Sequence, residues 1–200
     1  MDQKTEALKH IKEEVIALKG SALADERREN KTFPVIGEGS HDADIMFIGE
    51  APGENEAKTG RPFVGRAGQF LNELLDSVGI PRDTVYITNI VKDRPPKNRD
   101  PLPDEIELYA PFLDRQIEII KPKVIATLGR FSMIYIMNRY GLSLEVEPIS
   151  ALHGKVFDAE PPYGKVKFVP LFHPAAAIYN QALKETLKED FKVLKTIIDK

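Results

Sequence analysis

The chain has no cysteine among its 200 residues. That excludes disulfide bonds and thiolate-held metal clusters alike. No apolar run approaches the ~20 residues of a membrane-spanning helix, and the N-terminus lacks a signal-peptide pattern. The expected location is therefore the cytoplasm. An excess of positive charge is also missing. With a formal net charge of −3 there is no global attraction to nucleic acid, so any such binding has to come from a local basic patch. No internal repeat or low-complexity stretch is present.

What is present suits one domain, residues 1–200, expected to be a monomer, with 42% hydrophobic content for its core. Residues 4–19 place Ala7, Leu8, Ile11, Val15, Ile16 and Leu18 on one helical face. Gly20 to Ser40 reads as an irregular charged segment, and its Arg27, Arg28 and Lys31 as a solvated group, with phosphate contact the minority reading. Four short apolar runs have strand character: 44–48, 84–88, 123–128 and 167–172. Weaker strand-like pieces occur around 144–146 and 155–157. Helical periodicity follows from about Gly65, from Pro103, after Gly129 and from about Gln181.

Strands alternating with helices predict a three-layer α/β/α fold around a central, mainly parallel four-stranded sheet. Right-handed crossovers bring the strand carboxyl ends to one edge. The stretch from Ile48 to Gln69 leaves such an end and far exceeds the ~2–6 residues that a simple strand-to-helix connection needs. It carries Glu50, Glu54, Glu56 and one aromatic residue, Phe63. Asn89 ends the second strand and His173 follows the fourth, so separate parts of the chain deliver polar groups to one place. Beside them Lys92-Asp-Arg-Pro-Pro-Lys-Asn-Arg99 forms a proline-stiffened basic loop. Lys92, Arg94, Lys97 and Arg99 are expected to meet phosphates, with Asn98 among them.

These blocks also carry a resemblance. Gly49-Glu-Ala-Pro-Gly53 with Gly60-Arg-Pro-Phe-Val-Gly-Arg-Ala-Gly68 resembles the first motif of family 4 uracil-DNA glycosylases. Thr88-Asn-Ile-Val-Lys92 with Arg94-Pro-Pro-Lys-Asn-Arg-Asp-Pro101 is similar to the family's second block. Lys121-Pro-Lys-Val-Ile125 with Leu128-Gly-Arg130 is similar to the third, and His173-Pro-Ala-Ala176 to the last. The blocks come in family order.

The resemblance implies hydrolysis of the N-glycosidic bond of deoxyuridine in DNA, with uracil released and an abasic site left. The target nucleotide has to leave the base stack to be reached. By the same resemblance Phe63 stacks on the flipped base, and Asn89 pairs its amide with N3–H and O4. His173 hydrogen-bonds O2 as charge develops there. The Ala175–Tyr179 segment resembles the loop that wedges into the minor groove, with Ile178 as its expected tip. Glu50 and Glu56 stand at the family's functional glutamate positions, with Glu54 a third candidate for orienting water. Ala51 lies where better-known glycosylase families have aspartate, which leaves only its backbone N–H for the base. Ala57 stands where many members have an acid.

The largest departure concerns a cofactor. The resemblance implies an iron–sulfur cluster on four cysteines, and the matching positions hold Leu18, Ser21, Asp93 and Tyr109. No cluster is expected, and apolar packing by Leu18 and Tyr109 is the expected substitute. Two alternatives stay open: a glycosylase for another deaminated base such as hypoxanthine or xanthine, and a non-catalytic DNA-binding member of the fold. A flavodoxin-like nucleotide binder is more distant, because the loop lacks a phosphate fingerprint and its carboxylates would repel phosphate.

Overall fold

A computed structural model describes residues 2–199 of the protein. Helix α1 spans Gln3–Ala17 and α2 Ala22–Glu29, followed by the short strand β1, Glu38–Gly39. Strand β2 (Ile45–Gly49) leads into α3 (Glu54–Thr59) and α4 (Arg66–Ser77). Strand β3 (Tyr86–Asn89) precedes α5 (Pro103–Ile120), and β4 (Val124–Leu128) precedes α6 (Arg130–Arg139). The remainder is α7 (Ile149–Leu152), β5 (Phe157–Ala159), β6 (Val166–Leu171), α8 (Pro174–Ala177) and α9 (Gln181–Ile198).

The strands form one sheet in the order β1-β3-β2-β4-β6-β5. Its centre, β3-β2-β4-β6, is parallel, and these are the four strands expected from the apolar runs. Two short antiparallel strands extend it, β1 beside β3 and β5 beside β6. The sheet is therefore six-stranded, two more than the periodicity indicated.

Side-chain alternation along each strand separates two cores. On one face Met46, Ile48, Ile125 and Phe168 pack with Ile11 and Val15 of α1, Leu113 and Ile117 of α5, and Met137 of α6. On the other, Ile45, Phe47, Ala126 and Val169 meet Leu71 and Leu74 of α4 and Phe191 and Leu194 of α9. Phe47 and Phe191 stack at 5.7 Å and 12°. Both sheet faces are covered, which is why β2 can be apolar and buried at every position.

Three local expectations are corrected. The segment after Gly20 is not wholly irregular, since it contains α2; Ser21 caps that helix by accepting from the Ala24 N–H at 3.2 Å. Residues 143–145 form a 3₁₀ turn rather than a strand, with Leu144 99% exposed, and the strand near 155–157 lies at 157–159. Ile16 and Leu18 do not join the buried stripe of α1, whose buried residues are Leu8, Ile11 and Val15.

Candidate active site

From β2 the chain crosses to β3 on one side, and from β4 it crosses to β6 on the other, so the connections diverge between β2 and β4 at the carboxyl edge of the sheet. Open α/β sheets bind ligands at such a point. A cleft of about 450 Å³ opens there, lined by Glu50 and Ala51 after β2, Phe63, Asn89 at the end of β3, His173 after β6, and Ala175. Glu54, Glu56, Asn98 and Arg99 complete its rim. The structure thus gathers Glu50, Phe63, Asn89 and His173 from separate parts of the chain.

Two glycines make room for this arrangement. A Cβ on Gly49 would lie 2.3 Å from Asn89 Oδ1 and 2.8 Å from Phe63 Cζ, so the amide and the ring approach across a bare backbone. A Cβ on Gly68 would lie 1.8 Å from the Phe63 carbonyl oxygen, so the first turn of α4 packs on the backbone that presents Phe63. Phe63 itself adopts φ 51°, a conformation costly for a bulky residue and held by its surroundings. Its ring is buried and lies 5.7 Å from that of His173, tilted by 32°.

The Asn89 Oδ1 is buried and has no hydrogen-bond partner within the protein. Buried amide oxygens are normally paired, and this one belongs to a residue that lines the cleft. His173 caps α8, and its Nδ1 accepts from the Ala175 N–H at 3.1 Å. An accepting Nδ1 carries no proton, so the neutral ring bears its hydrogen on Nε2. Burial pushes the imidazole down to about 4, against the opposing pull of the Glu56 carboxylate. The ring is therefore neutral at pH 7 and offers an Nε2–H donor.

The three carboxylates differ. Glu50 is half-buried, and its carboxyl is raised to about 7, chiefly by burial and next by Asp100, with Arg130 opposing. Glu56 Oε1 accepts from the Val64 and Gly65 N–H groups at 2.9 and 2.8 Å, which ties it to the backbone that carries Phe63. Glu54 is exposed and paired with Lys58 at 2.5 Å and Arg94 at 3.5 Å.

The basic loop is only partly as expected. Lys97 and Asn98 are exposed, both with left-handed backbone, and Arg94 reaches the rim, where its Nε donates to Asn98 Oδ1 at 2.7 Å. Arg99 lines the cleft while forming two bonds to Glu105 at 2.8 and 2.6 Å. Lys92 is a correction: it is 0% exposed and cannot meet a phosphate. Its Nζ donates to Thr88 Oγ1 at 2.8 Å, to the Asn89 carbonyl at 2.6 Å and to Gln116 Oε1 at 2.5 Å. Burial drives the amine well below the ordinary lysine value, while three acceptors supply all that its hydrogens can use. Arg27 is likewise no solvated residue. It is buried, donates to the Val15 and Ile16 carbonyls at 3.2 and 2.9 Å, and lies 3.4 Å from Asp93.

In the expected wedge, Ala175 is exposed beside the cleft, but Ile178 is half-buried and does not project. The projecting side chain is Tyr179, 85% exposed, whose hydroxyl is met by Arg66. An aromatic residue ending the His173–Tyr179 run was the available signal.

The positions matching the family's cluster ligands are occupied by protein contacts. Tyr109 donates its hydroxyl to Asp93 Oδ2 at 2.6 Å and lies 3.0 Å from Ser21 Oγ, with Leu18 half-buried against the core. A hydroxyl, a carboxylate, a phenol and an alkyl chain do not fit an iron–sulfur cluster, which takes thiolates. Leu18 and Tyr109 do pack with the apolar core, as expected, and Tyr109 adds polar contacts that the sequence did not indicate. Among the described residues no group of His, Cys, Asp and Glu is arranged to hold a metal ion, and no helix is long and apolar enough to cross a membrane.

Fold and cleft together define an α/β/α protein with a polar ligand cleft at the carboxyl edge of its sheet, and the chain belongs to the uracil DNA glycosylase superfamily, whose family model matches residues 36–195. It is 48% identical to the type-4 uracil-DNA glycosylase of Sulfurisphaera tokodaii, over 96% of this chain and 85% of that one. It is 44% identical to the type-4 enzyme of Archaeoglobus fulgidus, over 94% and 91% of the two chains. The type-4 enzyme of Thermotoga maritima is also 44% identical, over 86% of each.

Proposed function

We propose that the cleft is the uracil pocket of a DNA repair enzyme that hydrolyses the N-glycosidic bond of deoxyuridine. The enzyme class follows from the similarity to type-4 uracil-DNA glycosylases; the assignment of roles is ours. One observation carries it: the buried, unpartnered Asn89 Oδ1 beside Phe63 and the Nε2–H of His173. Uracil supplies what this arrangement needs. Its N3–H donates to Oδ1, its O4 accepts from the same amide, and its O2 accepts from His173. Cytosine offers an acceptor at N3 and a donor at N4, and each buried mismatch costs about 1–3 kcal/mol.

In the reaction the C1′–N1 bond breaks and its electron pair goes to the base. The His173 Nε2–H stabilises the charge gathering on O2. Water attacks C1′ and gives its proton to the Glu50 carboxylate, whose negative charge also stabilises the cationic sugar. Glu56 holds the Phe63 loop, and Glu54 orders Arg94 at the rim. Arg94, Lys97, Asn98 and Arg99 face DNA phosphates, while Ala175 and Tyr179 enter the groove.

Labelled duplexes containing uracil, hypoxanthine or xanthine, incubated with the enzyme and then with alkali, test the reading. Strand cleavage at uracil and little at the other two is expected. Preferential cleavage at hypoxanthine or xanthine would reassign the pocket, and none at any base would leave a DNA-binding protein.

The buried Lys92 enters this scheme as a positioning residue behind Asn89. Lys92→Met keeps the length of the chain but leaves the Asn89 and Gln116 oxygens without a donor. We expect single-turnover uracil release to fall about tenfold, the equivalent of one lost hydrogen bond to a charged group, with DNA affinity little changed. Loss of affinity with an unchanged rate would return Lys92 to the DNA-contact role.

A further inference from the structure

We propose that Ser21, Tyr109 and Asp93 form a hydrogen-bonded clip, braced by an ion pair from Asp93 to Arg27, that holds the DNA-facing loop 92–99 to the N-terminal helices. The proposal rests on the glycosylase reading above for the loop's role, and on geometry alone for the clip. Three of the four residues stand at positions where the resemblance implies cluster ligands, so the same points of the fold are joined by other chemistry.

The bonds run in one direction. The Ala24 N–H donates to Ser21 Oγ at 3.2 Å, the Ser21 hydroxyl donates to the Tyr109 oxygen at 3.0 Å, and Tyr109 donates to Asp93 Oδ2 at 2.6 Å. The tyrosine hydrogen is committed to the carboxylate, so the serine hydroxyl has to be the donor to tyrosine. Arg27 adds an ion pair and not a hydrogen bond: its Nη1 lies 3.4 Å from Asp93 Oδ1, a buried oxygen without a hydrogen-bond partner. All four side chains are buried, and burial raises the Asp93 carboxyl while Tyr109 and Arg27 pull it back. A buried carboxylate needs such partners, and losing one leaves an uncompensated charge.

The clip joins three separate segments. Ser21 caps α2, Tyr109 lies in α5, and Asp93 opens the loop. The Arg27 guanidinium also takes the Val15 and Ile16 carbonyls at the end of α1. The loop's other side-chain attachments lie at Lys92, whose Nζ makes three buried bonds, and at Arg94, 3.5 Å from Glu54. The Asn98 and Arg99 N–H groups bond only to Pro95 and Pro96 inside it, while the Lys92 carbonyl accepts from the Val35 N–H at 2.8 Å. At its far end Arg99 pairs with Glu105. Asp93 joins Lys92 in fixing the near end and is the residue directly before Arg94. A polar clip suits these positions because Asp93 faces inward between a buried lysine and a rim arginine.

Tyr109→Phe tests this, because it removes the hydroxyl and keeps the ring. Amide exchange in residues 18–24 and 92–99 should accelerate together by about tenfold while that of β2 and β4 is unchanged. The Michaelis constant for uracil-containing DNA should rise by about tenfold, and the single-turnover rate at saturating DNA should hold. Asp93→Asn should act the same way, and combining the two should add little, because both break one chain of contacts. Ser21→Ala, the mildest change, should reproduce the exchange pattern at smaller amplitude and serves if the others do not fold. Exchange confined to one of the two segments, or a lower turnover rate at an unchanged Michaelis constant, would overturn the clip. The exchange measurement uses no substrate, so it separates failure of the clip from failure of the glycosylase reading.

Discussion

His173→Ala slows single-turnover release of uracil by about 10²–10³, the usual loss for one donor aimed at developing negative charge. Affinity for uracil-containing DNA changes little, because the Nε2–H bond to O2 strengthens only as the base departs. The magnitude follows from the state of the ring. The Ala175 N–H fixes the tautomer, and burial keeps the imidazole neutral down to about pH 4. His173 therefore adds no acidic limb to the rate between pH 5 and 9. Asn89→Asp behaves differently. It presents an acceptor where O4 needs a donor, so uracil cleavage drops and the preference over cytosine loosens. Measuring binding and single-turnover cleavage separately for both variants checks the division. A wild-type rate in His173→Ala, or an unchanged uracil-to-cytosine ratio in Asn89→Asp, would mean that the pocket is wrongly assigned.

The parts legible in the sequence are those where one residue type suits one environment. Ile45 to Ile48 could only be a strand buried on both faces, and their alternation between two cores explains the unbroken apolar run. Asn89 and His173 stood out because each follows such a strand directly. What escaped depended on partners distant in sequence. A lysine in a basic, proline-rich loop is ordinarily solvated, and nothing near Lys92 shows that Gln116, 24 residues on, turns its oxygen toward it. Arg27 was misjudged for the same reason, its partner Asp93 lying 66 residues away by number. Helix α2 was missed because Ala-Leu-Ala-Asp-Glu-Arg-Arg-Glu offers little apolar stripe; its existence depends on the Ser21 cap and on burial of Leu23 and Ala24. The two-residue edge strand β1 is too short to leave a pattern, while β5 showed only as a weak strand-like piece two residues early.

Those failures share a physical cause. Periodicity reports which face of an element is buried, but it does not report which polar groups a buried face will satisfy. Thr88, Lys92 and Gln116 on one side, and Ser21, Asp93 and Tyr109 on the other, are buried polar sets with mutual partners. Both adjoin the loop that joins the base-reading strand to the DNA face. The two sets hold Asn89 and the start of the loop to one scaffold, which on the proposed reading would couple recognition of the base to contact with the DNA backbone.

On the proposed mechanism Glu50 receives the proton of water, so Glu50→Gln should lower the cleavage rate by about 10²–10⁴, the range for general acid–base catalysis. The wild-type carboxyl, raised to about 7 mainly by burial, has to be ionised to act. The wild-type rate should therefore rise about tenfold per pH unit below 7 and level off above it, whereas the variant's small residual rate lacks that limb. Stability should move the opposite way. A carboxyl whose folded-state value lies above its unfolded value of 4.5 stabilises the fold fully below pH 4.5, and that contribution is lost as pH rises through about 7. Glutamine resembles the protonated form, so Glu50→Gln should melt at a higher temperature than the wild type at pH 8 and at nearly the same temperature at pH 5. Thermal melts at both values, paired with single-turnover rates from pH 5 to 9, test the two halves together. A variant that keeps the low-pH limb would move the proton acceptor to another carboxylate. A variant less stable than wild type at pH 8 would show that the Glu50 charge is compensated in the folded protein.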